Sequence, residues 1–207
     1  MPIRINGTDK ASTINTSAVS PMGTYHLAAN HNLYEIQRSN NFEFIVTDID
    51  GISKAGMISG QVSGTIENAQ EIIRLSVASS SIPHFSQDPI EVKRGNSTMK
   101  FAGVPKFDAG TIKVNDYIGA ATKEVLMAWQ NLSYNVATEK VGLASDYKKD
   151  CYLVEYTPDY QKVRQWKLHG CWISKLDGGE FSSDNNDKMQ ITVTIEYDKA
   201  EVDSSGI

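Results

Sequence analysis

The sequence predicts a mainly β fold: two packed antiparallel sheets, forming a β-sandwich or partly open barrel, with one α-helix and a long β-hairpin arm. Residues 164–201 hold two alternating apolar/polar runs joined by an acidic, Gly- and Asn-rich loop. In the first run, Trp166, Leu168, Gly170 and Trp172 are expected on one face and Lys167, His169 and Cys171 on the other. In the second, Ile191, Val193, Ile195 and Tyr197 share a face opposite Thr192, Thr194 and Glu196. A period of two over such a length marks half-buried antiparallel strands. Residues 90–104 form a second signal, a hairpin turning near Gly95-Asn96. The third is a single stretch of helical spacing between Ile118 and Leu132.

Along the chain, residues 1–40 are rich in Ser, Thr, Asn and Ala. They are expected to be an N-terminal extension, partly ordered or engaged in subunit contacts, which leaves 41–207 as the β domain with an acidic C-terminal tail. Phe42, Phe44 and Val46 alternate with Glu43 and Thr47 in a strand that runs to the Asp50-Gly51 turn. Gly51, Gly56, Gly60 and Gly64 punctuate a loop, and Ile73, Leu75 and Val77 form the next alternating set. Pro83 stops that strand from continuing into a central ladder. In the hairpin, Glu91, Lys93, Arg94, Asn96 and Lys100 supply a polar tip above an apolar base, which suits an arm laid on a neighbouring subunit. Residues 111–115 make another strand, and Asp116 is placed to cap the helix. The apolar stripe of that helix is Ile118, Ala121, Val125, Trp129 and Leu132. Tyr152, Val154 and Tyr156 mark a strand turned by Pro158-Asp159 into the C-terminal pair. The predicted core draws on Phe44, Leu75, Val125, Trp129, Trp166, Trp172, Val193 and Ile195.

Composition narrows the function classes. The chain has 207 residues, 40% hydrophobic and 22% charged, enough to bury a core in one domain with an extension. Its formal net charge of −5 is unevenly placed. Residues 1–100 carry 8 basic and 9 acidic side chains, residues 101–175 carry 10 and 8, and residues 176–207 carry 2 and 8. The acidity is therefore local to the C-terminal loop and tail, and no basic cluster suggests tight binding to a nucleic-acid backbone. The N-terminus lacks an apolar export segment, and no apolar run approaches the roughly 18 residues that span a bilayer. No membrane insertion is expected. The 2 cysteines, Cys151 and Cys171, are expected as small buried hydrophobes in a reducing birthplace.

The stretch 164–201 also resembles the C-terminal strand pair of bacteriophage tail-tube proteins of the contractile-tail type. An aromatic, then Gly, a small residue and another aromatic lead through an acidic loop to a Thr/Val-rich last strand. Further segments follow in the family's order. Ser39-Asn40-Asn41-Phe42-Glu43-Phe44 resembles its opening strand, and the small-residue run ending at Pro83 is similar to the segment before its long hairpin. Thr111-Ile112-Lys113-Val114-Asn115-Asp116 resembles the strand that hands over to its helix, and Trp129-Gln130-Asn131 the end of that helix. Residues 147–156 and 164–173 resemble the next two strands. The match covers about residues 40 to 200, and the N-terminal extension departs from the family core.

The resemblance implies a structural, non-enzymatic virion subunit with no cofactor, made in the bacterial host cytoplasm. It implies hexameric rings stacked inside a contractile tail sheath and nucleated on a baseplate. The tube would enclose a tape-measure protein and later pass genomic DNA without gripping it. The residues supply a physical route to such an assembly. The candidate edge strands carry few devices that block pairing, apart from Lys93 and Arg94, and a head-to-tail contact that closes makes a ring. Six copies carry roughly −30, and like charge keeps DNA off a wall. Two readings of the same fold stay open, a baseplate tube initiator and a secretion-system tube subunit. A third, of another class, is a soluble ligand-binding β module using the Gly-rich loop.

Four patterns invite a chemical site, and each has a plainer explanation. His169, Cys171 and Cys151 lack the short paired spacing of zinc ligands, with a fourth ligand only at distant His84. The same Cys and His have no third orienting group placed by motif, as nucleophilic catalysis requires. Asp184-Asn185-Asn186-Asp187 and Asp48-Ile49-Asp50-Gly51 lack the ligand spacing of a calcium loop. The glycines from Gly51 to Gly64 precede no GK[ST] ending, so they do not form a phosphate loop.

Overall fold

Alternation turns into pairing in the first strand, β1 (Phe42–Val46), which buries Phe44 and Val46 and rests Phe42 against the core. The computed structural model describes residues 36–53, 65–184 and 186–203. The N-terminal extension up to residue 35 and the Gly56, Gly60 and Gly64 loop lie outside the described residues, as does the end of the acidic tail. After β1, β2 (Ile52–Ser53) pairs with β3 (Thr65–Ile66), and α1 (Ala69–Ser76) passes directly into β4 (Val77–Ser80). The arm is built from β5 (Phe85–Gln87), β6 (Ile90–Arg94), β7 (Ser97–Phe101) and β8 (Pro105–Phe107). Then come β9 (Gly110–Asn115), α2 (Thr122–Ser133), the short pair β10 (Tyr134–Asn135) and β11 (Lys140–Val141), and α3 (Ala144–Tyr147). Four strands finish the described chain: β12 (Lys149–Tyr156), β13 (Lys162–Asp177), β14 (Gln190–Glu196) and β15 (Lys199–Asp203).

The main sheet runs β1-β12-β13-β14-β9-β4, antiparallel throughout, with β15 on the first half of β13. Strand β13 is 16 residues long and serves both halves. Residues 165–169 pair with β15, and residues 172–177 pair with β14. The sheet curls until its terminal strands β1 and β4 approach each other, yet they do not join. Among the described residues the fold is mainly β, with antiparallel sheets, few helices and no closed barrel. Its core combines Phe44, Val46, Ile112, Val114, Leu153, Leu168, Ile191, Val193 and Ile195 from the sheet with Ile72, Ile73, Val125, Leu126 and Trp129 from the helices.

Two features explain how β13 serves two half-sheets, and they correct the expected phase of its side chains. Against β12, Lys149 faces Cys171 but Cys151 faces Leu168, so β13 carries one extra residue at Gly170. Against β14, Ile173 faces Ile195 but Lys175 faces Thr194, so Ser174 is a second extra residue. Each bulge reverses the in/out alternation and bends the strand. The inward side chains are therefore Leu168, Cys171 and Ile173, with Trp166 and Leu176 packed partly on the core. Trp172 points away from Leu168, not with it, and its ring meets Tyr147 edge-on at 6.0 Å. Cys171 and His169 point to opposite faces.

Gly170 sits at φ +66°, where a side chain is strained. Gly170→Ala should therefore cost about 1–2 kcal/mol. Thermal unfolding checks this, and an unchanged melting temperature would mean that the bulge moves to a neighbouring residue.

The segment around Leu75 is helical, not a strand. Ala69, Ile72, Ile73 and Ser76 are buried at helical spacing, which leaves Leu75 at 69% exposure and outside the core. Gln70 N–H donates to Asp50 Oδ1 at 2.8 Å, helping to fix the helix start. Helix α2 begins at Thr122, later than expected. Asp116 does not cap it, Ile118 is fully exposed, and the buried face is Thr122, Val125, Leu126, Ala128 and Trp129. Ser76 Oγ and Thr122 Oγ1, both buried, lie 3.2 Å apart, so the two helices satisfy each other's hydroxyls.

Candidate assembly surfaces

The arm leaves the body between Ser80 and Gly110. Its root is an aromatic ladder: Phe85 and Phe107 lie 5.7 Å apart, and Phe107 lies 6.0 Å from Tyr197 at the end of β14. Beyond β5 and β8 the strand pairing is interrupted before it resumes in β6 and β7. A Cβ at Gly103 would lie 2.0 Å from the Asp88 carbonyl oxygen, so only glycine lets the two chains approach this closely. Strands β6 and β7 then pair from Ile90↔Phe101 to Arg94↔Ser97, as a separate two-stranded sheet.

Register decides the chemistry of the two arm faces. Glu91↔Lys100 and Lys93↔Thr98 share one face, where Glu91 and Lys100 form an ion pair at 3.1 Å. Ile90↔Phe101 and Val92↔Met99 share the other. All 10 residues of these strands are exposed, and the four apolar ones are 42–56% exposed. A lone two-stranded ribbon is marginal in water, so an uncovered apolar face on one marks a contact surface. Of the hairpin residues singled out from sequence, Glu91, Lys93 and Lys100 share the polar face, Arg94↔Ser97 falls on the apolar side at its outer end, and Asn96 lies in the turn. The apolar base expected from sequence extends outward as one face, through Val92 and Met99.

On the body, a groove of about 540 Å³ lies between the C-terminal end of α2 and β13. Met127, Tyr134, Val136 and Trp172 are its main apolar walls, with Gln130 and Asn131 at hand. Its parts come from segments far apart in sequence, so no local pattern announces it. The outward face of the sheet is polar. On β9, β13 and β14 the outward positions include Thr111, Lys113, Lys175, Asp177, Thr192, Thr194 and Glu196, a charge-balanced and hydroxyl-rich face. Among the described residues, β1, β4 and β15 each pair on one side only, leaving edges free for other chains.

The histidine and the two cysteines have partners and surroundings of their own. His169 Nε2 lies 2.6 Å from Glu201 Oε1, tying β13 to β15, and this contact holds the Glu201 carboxyl below its usual range. Cys151 and Cys171 are buried free thiols, and burial pushes the Cys151 thiol well up, away from thiolate chemistry. Among the described residues no group of three His, Cys, Asp or Glu is arranged to hold a metal, and no helix is long and apolar enough to cross a membrane.

This fold occurs in contractile injection particles. A chain in the extended sheath–tube complex of an extracellular contractile injection system, PVC, aligns with TM-score 0.58 and 15% identity, covering 86% of this chain and 99% of that one. A chain of the tube-terminating cap of an anti-feeding prophage aligns with TM-score 0.57 and 14% identity, over 83% and 93%. The protein belongs to the family of the T4-like virus tail tube protein gp19, which its sequence matches over residues 40–201. No curated protein matches the sequence.

Proposed function

We propose that copies of this chain assemble into rings of six, and that the rings stack into the tube of a contractile tail. The uncovered apolar face of the arm, on a member of a tail tube family, carries the proposal. A surface of that kind stays soluble only when another chain covers it, and a head-to-tail contact generates rings or filaments. A contractile sheath would surround the tube, a baseplate would nucleate it, and a tape-measure protein would fill it during assembly. The protein is then a component of the virion tail, made in the host cytoplasm, with a mechanical rather than enzymatic role. DNA passes without binding tightly, consistent with a net charge of −5 per copy.

Electron microscopy of the purified protein tests this, with rings or tubes as the expected result. A monodisperse monomer by light scattering at tens of micromolar, and no rings on adding a baseplate nucleus, would overturn it. A second reading places the same tube in a contractile injection particle that holds no genome, since the two solved structures above come from an extracellular contractile injection system and an anti-feeding prophage. Particles that protect a genome from nuclease favour the virion, and particles empty of nucleic acid favour the injection device.

A further inference from the structure

The apolar arm face and the body groove belong to one chain, and their surroundings have opposite charge. The arm ends in Lys93 and Arg94, with Lys100 and Lys106 behind them. The groove is walled by Trp172, Ile173 and Ser174 of β13, and that strand runs on through Lys175 and Asp177, past Gly178 beside Lys123 of α2, to the exposed Glu180 and Asp184. Dimensions agree as well. From Val92 to the arm tip is two to three residues, about 7–10 Å, and from Ser174 to the first acidic residue is three residues, about 10 Å. An arm laid in the groove with its tip toward the end of β13 puts apolar against apolar and base against acid.

We infer that the arm of one copy docks in the α2–β13 groove of a second copy, its basic tip against the acidic loop after Asp177. The inference rests on the self-assembly reading and names the surface that receives the arm. Met127, Tyr134, Val136 and Trp172 cover Ile90, Val92, Met99 and Phe101. The ion-paired face of Glu91 and Lys100 stays toward solvent. The contact is heterologous, since arm and groove are different patches, and each copy offers one of each to its neighbours. Charge at the rim sets register and suppresses wrong pairings, while the apolar face supplies the adhesion.

The test mixes full-length copies carrying Val92→Cys with copies carrying Val136→Cys and treats them with a short bis-maleimide. The two native cysteines are buried in the core. A cross-linked heterodimer, absent when either copy is treated alone, is expected. Lys93→Glu with Arg94→Glu on the arm copy should lower the cross-linked yield at low salt about tenfold. Adding Glu180→Lys with Asp184→Lys on the groove copy should restore it. Tubes that form without the cross-link, or a yield indifferent to the charge reversals, would overturn the docking while leaving tube assembly intact. A cross-link without rings or tubes would instead uphold the docking and sink the proposed function. Cross-linking of Val136→Cys to Ala18→Cys in place of Val92→Cys would give the groove to the N-terminal extension and overturn the docking.

Discussion

Trp129→Ala should destabilise the folded subunit by about 3–5 kcal/mol through lost transfer energy and the cavity left behind. The ring is 1% exposed, among the largest fully buried side chains, and sits where α2 meets the curled sheet. Its Nε1–H donates to the Tyr147 carbonyl at 3.0 Å, so the substitution also orphans an acceptor at the end of α3. Since most domains are stable by only about 5–15 kcal/mol, such a loss threatens folding itself. A melting temperature lower by roughly 6–20 °C is expected. Trp129→Phe separates the two contributions. It keeps most of the volume and loses the hydrogen bond, so its cost should be about 1–3 kcal/mol. If Trp129→Ala melted like the parent and failed only to assemble, the residue would be a contact between subunits.

The strands with one buried face and no irregularity were legible in the sequence, and the reason is physical. In β1, β9 and β14 every second side chain enters the core, so Phe44 and Val46, Ile112 and Val114, and Ile191, Val193 and Ile195 all fall where a count of two puts them. Strand β13 defeats the count because a bulge adds one residue without adding a partner. A count of two therefore places Trp172 on the Leu168 face, while the inward set shifts to Cys171 and Ile173. Helix α1 defeats it differently. Over so few residues, Ile73, Leu75 and Val77 imitate a strand, and the telling signal is the pair of small residues, Ala69 and Ser76, each buried one turn from Ile72, on either side of it. The arm's position was legible from its turn. The groove that we assign to it was not, because packing brings residues 127–136 beside residues 172–174.

Removing residues 89–102 should abolish tube formation and leave the subunit folded. The deletion joins Asp88 to Gly103, two residues whose backbones already touch in the intact arm, and leaves Asp88-Gly103-Val104 as a three-residue, glycine-containing turn between the paired Gln87 and Pro105. The aromatic ladder of Phe85, Phe107 and Tyr197 remains, so the root keeps its anchor. Every residue of β6 and β7 is exposed, and the body's core takes nothing from them. The melting temperature should stay within about 2 °C of the parent, the range of changes that touch no buried group. Assembly depends on those same residues, since a ring needs every copy to grip its neighbour and the shortened arm has nothing to grip with. Far-UV circular dichroism with thermal melting reports the fold, and electron microscopy reports the tube. A deletion variant that unfolds would return the arm to the subunit's own stability, and one that still forms tubes would move the contact to the open edges of β1, β4 and β15.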